Sequence, residues 1–260
     1  FFGVGAYAAS WFTLPPAMKS FLLADMPEFV KMADWSLLMA LPVAVLASAT
    51  IGAVTGLIIM RLRDTSAVIA SFGFTVIAYL IFTGAKAITN GKQSLYGLPT
   101  EEVTWPLVLG ALASALAIAF FMKSTRYARH LEAIRDDEQA ARSIGIEPQF
   151  NIFLFWVVSA GVVGLAGALF VHVIGVVSPG LFYLEKTFAL MVMIILGGYR
   201  SISGCVIGAL VITVAEEIFR KTEETLGAFA GKEVMFGFEF PQVFGLTAIS
   251  FSILILIVLY

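Results

Sequence analysis

Long apolar runs separated by short charged or proline-containing segments set the layout of this chain. A helix needs about 20 predominantly apolar residues to cross a hydrocarbon core roughly 30 Å thick. By that measure residues 35–60, 65–85, 105–122 and 151–173 each predict one span, and residues 243–260 predict a last one. Between them, 184–196 and 204–219 are joined by GGYRSIS. The first of this pair is short for a crossing, so the spacing predicts a tilted or protein-buried helix, or a partly re-entrant hairpin across 184–219. Residues 1–14 read as the second half of a membrane element that begins before residue 1. Residues 15–34, with Pro15, Pro16 and Pro27, read as a loop or interfacial helix. The expectation is an all-α integral membrane protein: a polytopic helical bundle of about six spans plus a truncated N-terminal element, in a single transmembrane domain over 1–260.

Composition sharpens this and excludes alternatives. Sixty per cent hydrophobic residues and a mean hydropathy of +0.95 lie above the range of soluble domains. A net charge of −2 argues for no nucleic-acid partner. Cys205 is the single cysteine, so no internal disulfide exists and its thiol is read as packing.

The polar stretch 123–150 stands apart from these runs. Within it Asp136 or Asp137 can cap a helix, with Gln139 reaching back, and Glu138 and Arg142 form a favourable i,i+4 pair. Gly145 followed by Pro148 supplies a stop. The pattern predicts a helix over 137–144, preceded by one over 127–134, lying across the membrane surface. Ala140 and Ala141 would leave one side nearly bare for a close partner. If this island is cytoplasmic, strict alternation places Arg61, Arg63, Lys123, Arg126, Arg129, Arg135, Arg142 and Arg200 inside. The remaining Lys and Arg residues equal them in number but are spread over longer loops, so basic density favours a cytoplasmic island.

The string EQAARSIGIEP resembles the Ala-Ala-x-x-x-Gly core of the EAA loop of ABC importer permeases. The longer RHLEAIRDDEQAARSIGIEP is similar to the form found in branched-chain amino acid permeases of the LivM type. The likeness continues through SAGVVGLAGALFVHVIGVVSPGLF, MVMIILGGYRSISGCVIGALV, RLRDTSAVIASFGF and FFGVGAYAA. Gln139 stands where the general loop has its Glu, and ITNGKQSLYGLP is a loose version of the family's Gly-rich TGG-x-x-GL pattern. The resemblance implies a multi-pass permease subunit in the cytoplasmic (inner) membrane of a prokaryote, taking in branched-chain or related small amino acids. It also implies that 123–150 couples to ATPase subunits through Arg135, Asp136, Glu138, Ala140, Ala141 and Gly145. The partners implied are a second permease subunit, two ABC ATPase subunits, an extracytoplasmic substrate-binding protein and the lipid bilayer. ATP and Mg would sit on the ATPase subunits, with no cofactor on this chain. GAFAGKE at 227–233 has the wrong spacing for a phosphate-binding loop, with Glu233 where Ser or Thr must hold magnesium. An ABC permease for urea or short amides, or an ion-coupled secondary transporter, is the alternative.

Two clusters of small and aromatic residues are candidates for the solute path: Gly3, Gly5 and Tyr7, and Phe72, Gly73 and Phe74. Core packing serves each equally. Gly52 and Gly56, Gly204 and Gly208, and the run Gly161, Gly164 and Gly167 are read as helix packing. His172, the pair Glu185 and Lys186, and Glu216 and Glu217 near Arg220 lie at predicted span ends, where snorkelling or mutual pairing explains them. Metal-ligand and nucleophile-base constellations are missing from the sequence, which argues against an enzyme.

Overall fold

The computed structural model describes residues 1–229 except Ala24, Arg63 and Tyr199, together with Ser252 and Leu256. The last predicted span, 243–260, and most of the GAFAGKE segment lie outside the described residues. Helices α1 (Phe2–Thr13), α2 (Pro16–Leu22), α3 (Glu28–Lys31), α4 (Leu37–Ile59), α5 (Asp64–Gly84) and α6 (Lys86–Thr89) come first. Strand β1 (Leu95–Tyr96) and a 3₁₀ turn (Thr100–Glu102) lead to α7 (Trp105–Ser124), α8 (Arg126–Asp136), α9 (Glu138–Ser143) and α10 (Pro148–Ile174). Strand β2 (Val176–Val177) and a second 3₁₀ turn (Pro179–Phe182) precede α11 (Leu184–Gly197) and α12 (Ile202–Phe229).

Six stretches among the described residues are long and apolar enough to cross a membrane, so the chain is a polytopic all-α membrane protein. Leu37–Ile59, Thr65–Gly84, Trp105–Ser124 and Pro148–Ile174 fall close to the predicted spans. The fifth and sixth, Pro179–Gly197 and Ile202–Thr225, are longer than the apolar runs suggested. Helix α12 continues past its apolar run because Arg220 pairs with Glu217 one turn back and with Glu224 one turn on. Lys221 adds a pair to Glu217. Such i,i+3 and i,i+4 pairs carry a helix through charged sequence.

The chain divides into two compact units, 1–185 and 186–260. The first is built on α1, α4 and α10, which pack through small residues. Added to Gly5, a Cβ would lie 2.1 Å from the Gly164 carbonyl oxygen, and on Gly167 it would lie 2.0 Å from that of Phe2. Lipid tails are as apolar as leucine, so membrane helices associate by such close approach rather than by hydrophobic exclusion. Neither α5 nor α7 has a buried residue within its apolar stretch. In the second unit, α11 and α12 form a hairpin. Gly197 lies against Gly204, Gly208 lies against the Met193 carbonyl, and Gly198 turns the chain at φ +85°.

Candidate functional site

The island folds as two helices joined by a single residue. Asp137, extended between α8 and α9, accepts hydrogen bonds from the backbone N–H of Gln139 at 2.8 Å and of Ala140 at 3.0 Å. This is an N-cap, and it leaves Asp136 free to pair with Arg135 at 3.1 Å. Glu138 receives Arg142 at 2.8 Å, as the i,i+4 spacing predicts. The far end closes in a Schellman motif: Gly145 donates to the Arg142 carbonyl, Ile146 donates to that of Ala141, and Gly145 sits at φ +84°. A Cβ at Gly145 would meet nothing within 4 Å, so its value is conformational rather than steric.

This geometry corrects one expectation. Ala140 is exposed, but Ala141 is only 2% exposed and faces inward, so it presents nothing to a partner. Successive helical residues point about 100° apart, and two adjacent alanines cannot share one bare face. The apolar group the island does present is Ile144, 73% exposed at the tip of α9, which composition alone did not single out. The island is also anchored to α10. Tyr127 of α8 lies 6.2 Å, ring to ring, from Phe150 in the first turn of α10, where Pro148 is buried.

The two candidate path clusters have different surroundings. Gly3 faces Phe82 and Phe182, and the Tyr7 ring sits 4.9 Å from Phe82 and 6.1 Å from Phe182. Tyr7 is 1% exposed and its buried hydroxyl has no hydrogen-bond partner among the described residues. Gly5 packs directly against the Gly164 backbone. On α5 it is Phe82, about 12 Å up the helix from Phe74, that reaches Gly3 and Tyr7. Phe72 is exposed, Phe74 is half-buried, and a methyl group placed on Gly73 would meet nothing within 4 Å.

The opposite end of this unit is fastened differently, and sequence reasoning missed its key residue. Lys19, 1% exposed, donates to the carbonyls of Phe12 at 3.4 Å, Val30 at 3.1 Å and Ala33 at 2.5 Å. One ammonium thus ties together the C-terminal ends of α1 and α3. Burial lowers the Lys19 ammonium below its ordinary value, against the opposing pull of the Asp34 charge. Glu102 accepts from the Leu37 N–H at 2.5 Å and caps α4, and the Trp11 indole donates to the Ile88 carbonyl at 2.9 Å. Strands β1 and β2 pair antiparallel, Leu95 with Val177. His172 corrects a second expectation, since it is fully buried rather than snorkelling. Its Nδ1 faces the Ala168 carbonyl at 2.7 Å and must carry the proton there, so in the neutral ring Nε2 accepts from Thr13 at 2.8 Å.

A family model described as branched-chain amino acid transport system / permease component matches residues 1–259. The chain is 25% identical over 241 residues to the high-affinity branched-chain amino acid transport system permease protein LivM of Escherichia coli (strain K12), covering 80% of this chain and 56% of that protein. It is 26% identical over 196 residues to the autoinducer 2 import system permease protein LsrC of Salmonella paratyphi B, covering 69% of this chain and 56% of that protein. It is also 28% identical over 139 residues to the permease protein LivH of the branched-chain system of Salmonella typhimurium, covering 53% and 44%. The chain spans about half the length of the curated relatives it matches. No solved structure matches.

Proposed function

Since the chain belongs to the branched-chain amino acid transport system permease family, we propose that it is a pore-forming subunit of an ATP-driven ABC importer. The importer would bring branched-chain or related small amino acids across the cytoplasmic membrane of a prokaryote. The observation that carries this is the island: a capped, Schellman-terminated helix presenting Ala140 and Ile144 outward while Ala141 and Pro148 are buried beneath.

Two ATPase subunits on separate chains, holding ATP and Mg, would press on that surface as they close. A push on α9 passes to α10 through the direct contacts of α8 and α9 with it, and α10 packs along α1 and α4. A partner can shift such an assembly only by contacting its two states differently. Arg135, Asp136, Glu138, Ala140, Ile144 and Gly145 are the coupling residues in this account. A second permease subunit would complete the pore against the open face of α5, where Phe72 and Gly73 lie, and Gly3 and Tyr7 would meet the solute where Phe82 and Phe182 close over them. A solute-binding protein would deliver the solute to the side away from the island. Among the matched relatives, LsrC is named for autoinducer 2, so the solute is tested by uptake rather than by likeness.

The test is to express the chain with its neighbouring genes, purify it in mild detergent and reconstitute it. An ATPase that copurifies in fixed ratio, and leucine uptake that requires ATP, is the expected result. A chain that purifies alone and transports in vesicles without ATP would make it a secondary carrier instead.

A further inference from the structure

Charge is segregated along the island. Residues 123–131 hold Lys123, Arg126 and Arg129 and no acid, whereas residues 132–147 set Arg135 and Arg142 against five acids. In the second part both arginines are paired, with Asp136 and Glu138. In the first part all three cations are exposed, and none has an ion pair with an acid among the described residues.

This basic part lies where a span ends. Helix α7 is apolar as far as Met122, with Phe120 and Phe121 exposed, and Lys123 follows in its last turn. Thr125, extended at ψ 160°, ends α7 and begins α8, and its hydroxyl donates to the Met122 carbonyl at 2.6 Å. Arg126 and Arg129 then stand one turn apart on α8, so their side chains leave the same face. The Arg126 head is seated: it donates to the Tyr127 hydroxyl at 3.3 Å and lies 5.1 Å from the centre of that ring. Tyr127 in turn lies 6.1 Å from the His130 ring and 6.2 Å from Phe150.

Helix stability does not account for these arginines. Both fall in the first four residues of α8, the end at which the helix dipole disfavours cations. Pairing within the chain does not account for them either. A lipid phosphate does, because basic residues beside a span are drawn to anionic headgroups, and tyrosine rings favour the same level of the bilayer. An anionic surface repels the acid-rich remainder of the island, which leaves that part to face a protein.

We propose that Lys123, Arg126 and Arg129 bind the phosphate of an anionic lipid headgroup in the leaflet where α7 ends. This needs only that α7 crosses a bilayer, and so stands apart from the importer reading.

The test is a titration of short-chain phosphatidylglycerol into the full-length chain, in whatever assembly it purifies, in a neutral detergent. The readout is the lipid concentration that gives half of the maximal rise in melting temperature. Phosphatidylglycerol should stabilise the protein and phosphatidylcholine should not, and high salt should weaken the effect. Replacing both arginines, R126Q with R129Q, should raise the half-maximal concentration about 25-fold, and K123Q alone about fivefold, with the lipid-free melting temperature unchanged. The single variant guards against a folding defect in the double one. A half-maximal concentration equal to the wild type's in both variants would overturn the proposal, as would equal stabilisation by phosphatidylcholine. Inorganic phosphate that stabilises at the same concentrations as the lipid would assign the cations to a free anion instead. Variants that keep the wild-type lipid response but lose a copurifying ATPase would assign them to that subunit, and so would also overturn it. A chain that purifies without any ATPase counts against the importer reading alone and leaves the titration readable.

Discussion

The island and the opposite end of the first unit are both polar, yet they are held by bonds of different reach. In the island the side-chain bonds that shape α9 are local: Asp137 to Gln139 and Ala140, Arg135 to Asp136, Glu138 to Arg142. At the other end the bonds join distant segments: Leu37 to Glu102, 65 residues apart, Trp11 to Ile88, 77 apart, and Thr13 to His172, 159 apart. A locally bonded helix keeps its shape while its seat shifts, whereas segments cross-tied over such distances keep their mutual positions only if the whole frame does. The island therefore suits a lever and the opposite end a fixed frame.

The largest expected effect comes from breaking the frame. Lys19→Met removes a buried ammonium with its three hydrogen bonds, and although Phe12 and Val30 keep the N–H groups of Trp35 and Ala33 on their carbonyls, it should cost about 3 kcal/mol, since hydrogen bonds to a charged group contribute about 1.5–3 kcal/mol each. Thermal unfolding in detergent measures it, and a melting curve like the wild type's would refute the frame. Glu102→Ala should cost about 1 kcal/mol through loss of the α4 cap, and Glu102→Gln, which keeps an acceptor oxygen, visibly less. The same unfolding assay, run on the pair, separates capping from bulk.

Island substitutions should leave the melting curve nearly alone and change coupling instead. Gly145→Val forces a β-branched residue into φ +84° and should strongly reduce ATP-dependent uptake while the ATPase still turns over. Retention of full uptake per ATP hydrolysed would contradict a lever. Asp137→Ala removes the α9 cap, about 1 kcal/mol of local helix stability, and should lower uptake partly. Smallest of all, Glu138→Gln breaks an exposed pair that contributes about 0.3–0.5 kcal/mol, and at high salt its effect on uptake should vanish.

The same contrast explains what is legible in the sequence. Four spans can be placed from run length alone, and the island's cap residue, ion pair and glycine stop from spacing, because each depends on neighbours within a helical turn or two. The inward turn of Ala141 is hidden because its burial depends on how α9 seats on the helix after it, and that of His172 because its partner Thr13 lies in another helix. Lys19 reads as an ordinary loop lysine, since nothing near it in sequence reveals that three carbonyls from two other segments converge on it. The extent of α12 is masked by its charges, which pair along the helix rather than ending it. The aromatic surround of Gly3 and Tyr7 is likewise hidden in the sequence, because Phe82 and Phe182 come from two other segments.

The most direct test of the lever is a crosslink. With Cys205 replaced by serine, the I144C variant places one thiol at the exposed tip of α9. In the assembled transporter that thiol should crosslink to an ATPase subunit through a short bismaleimide, and should resist an impermeant maleimide added outside intact cells. Labelling from outside, or no crosslink in a complex that retains its ATPase, would contradict the account.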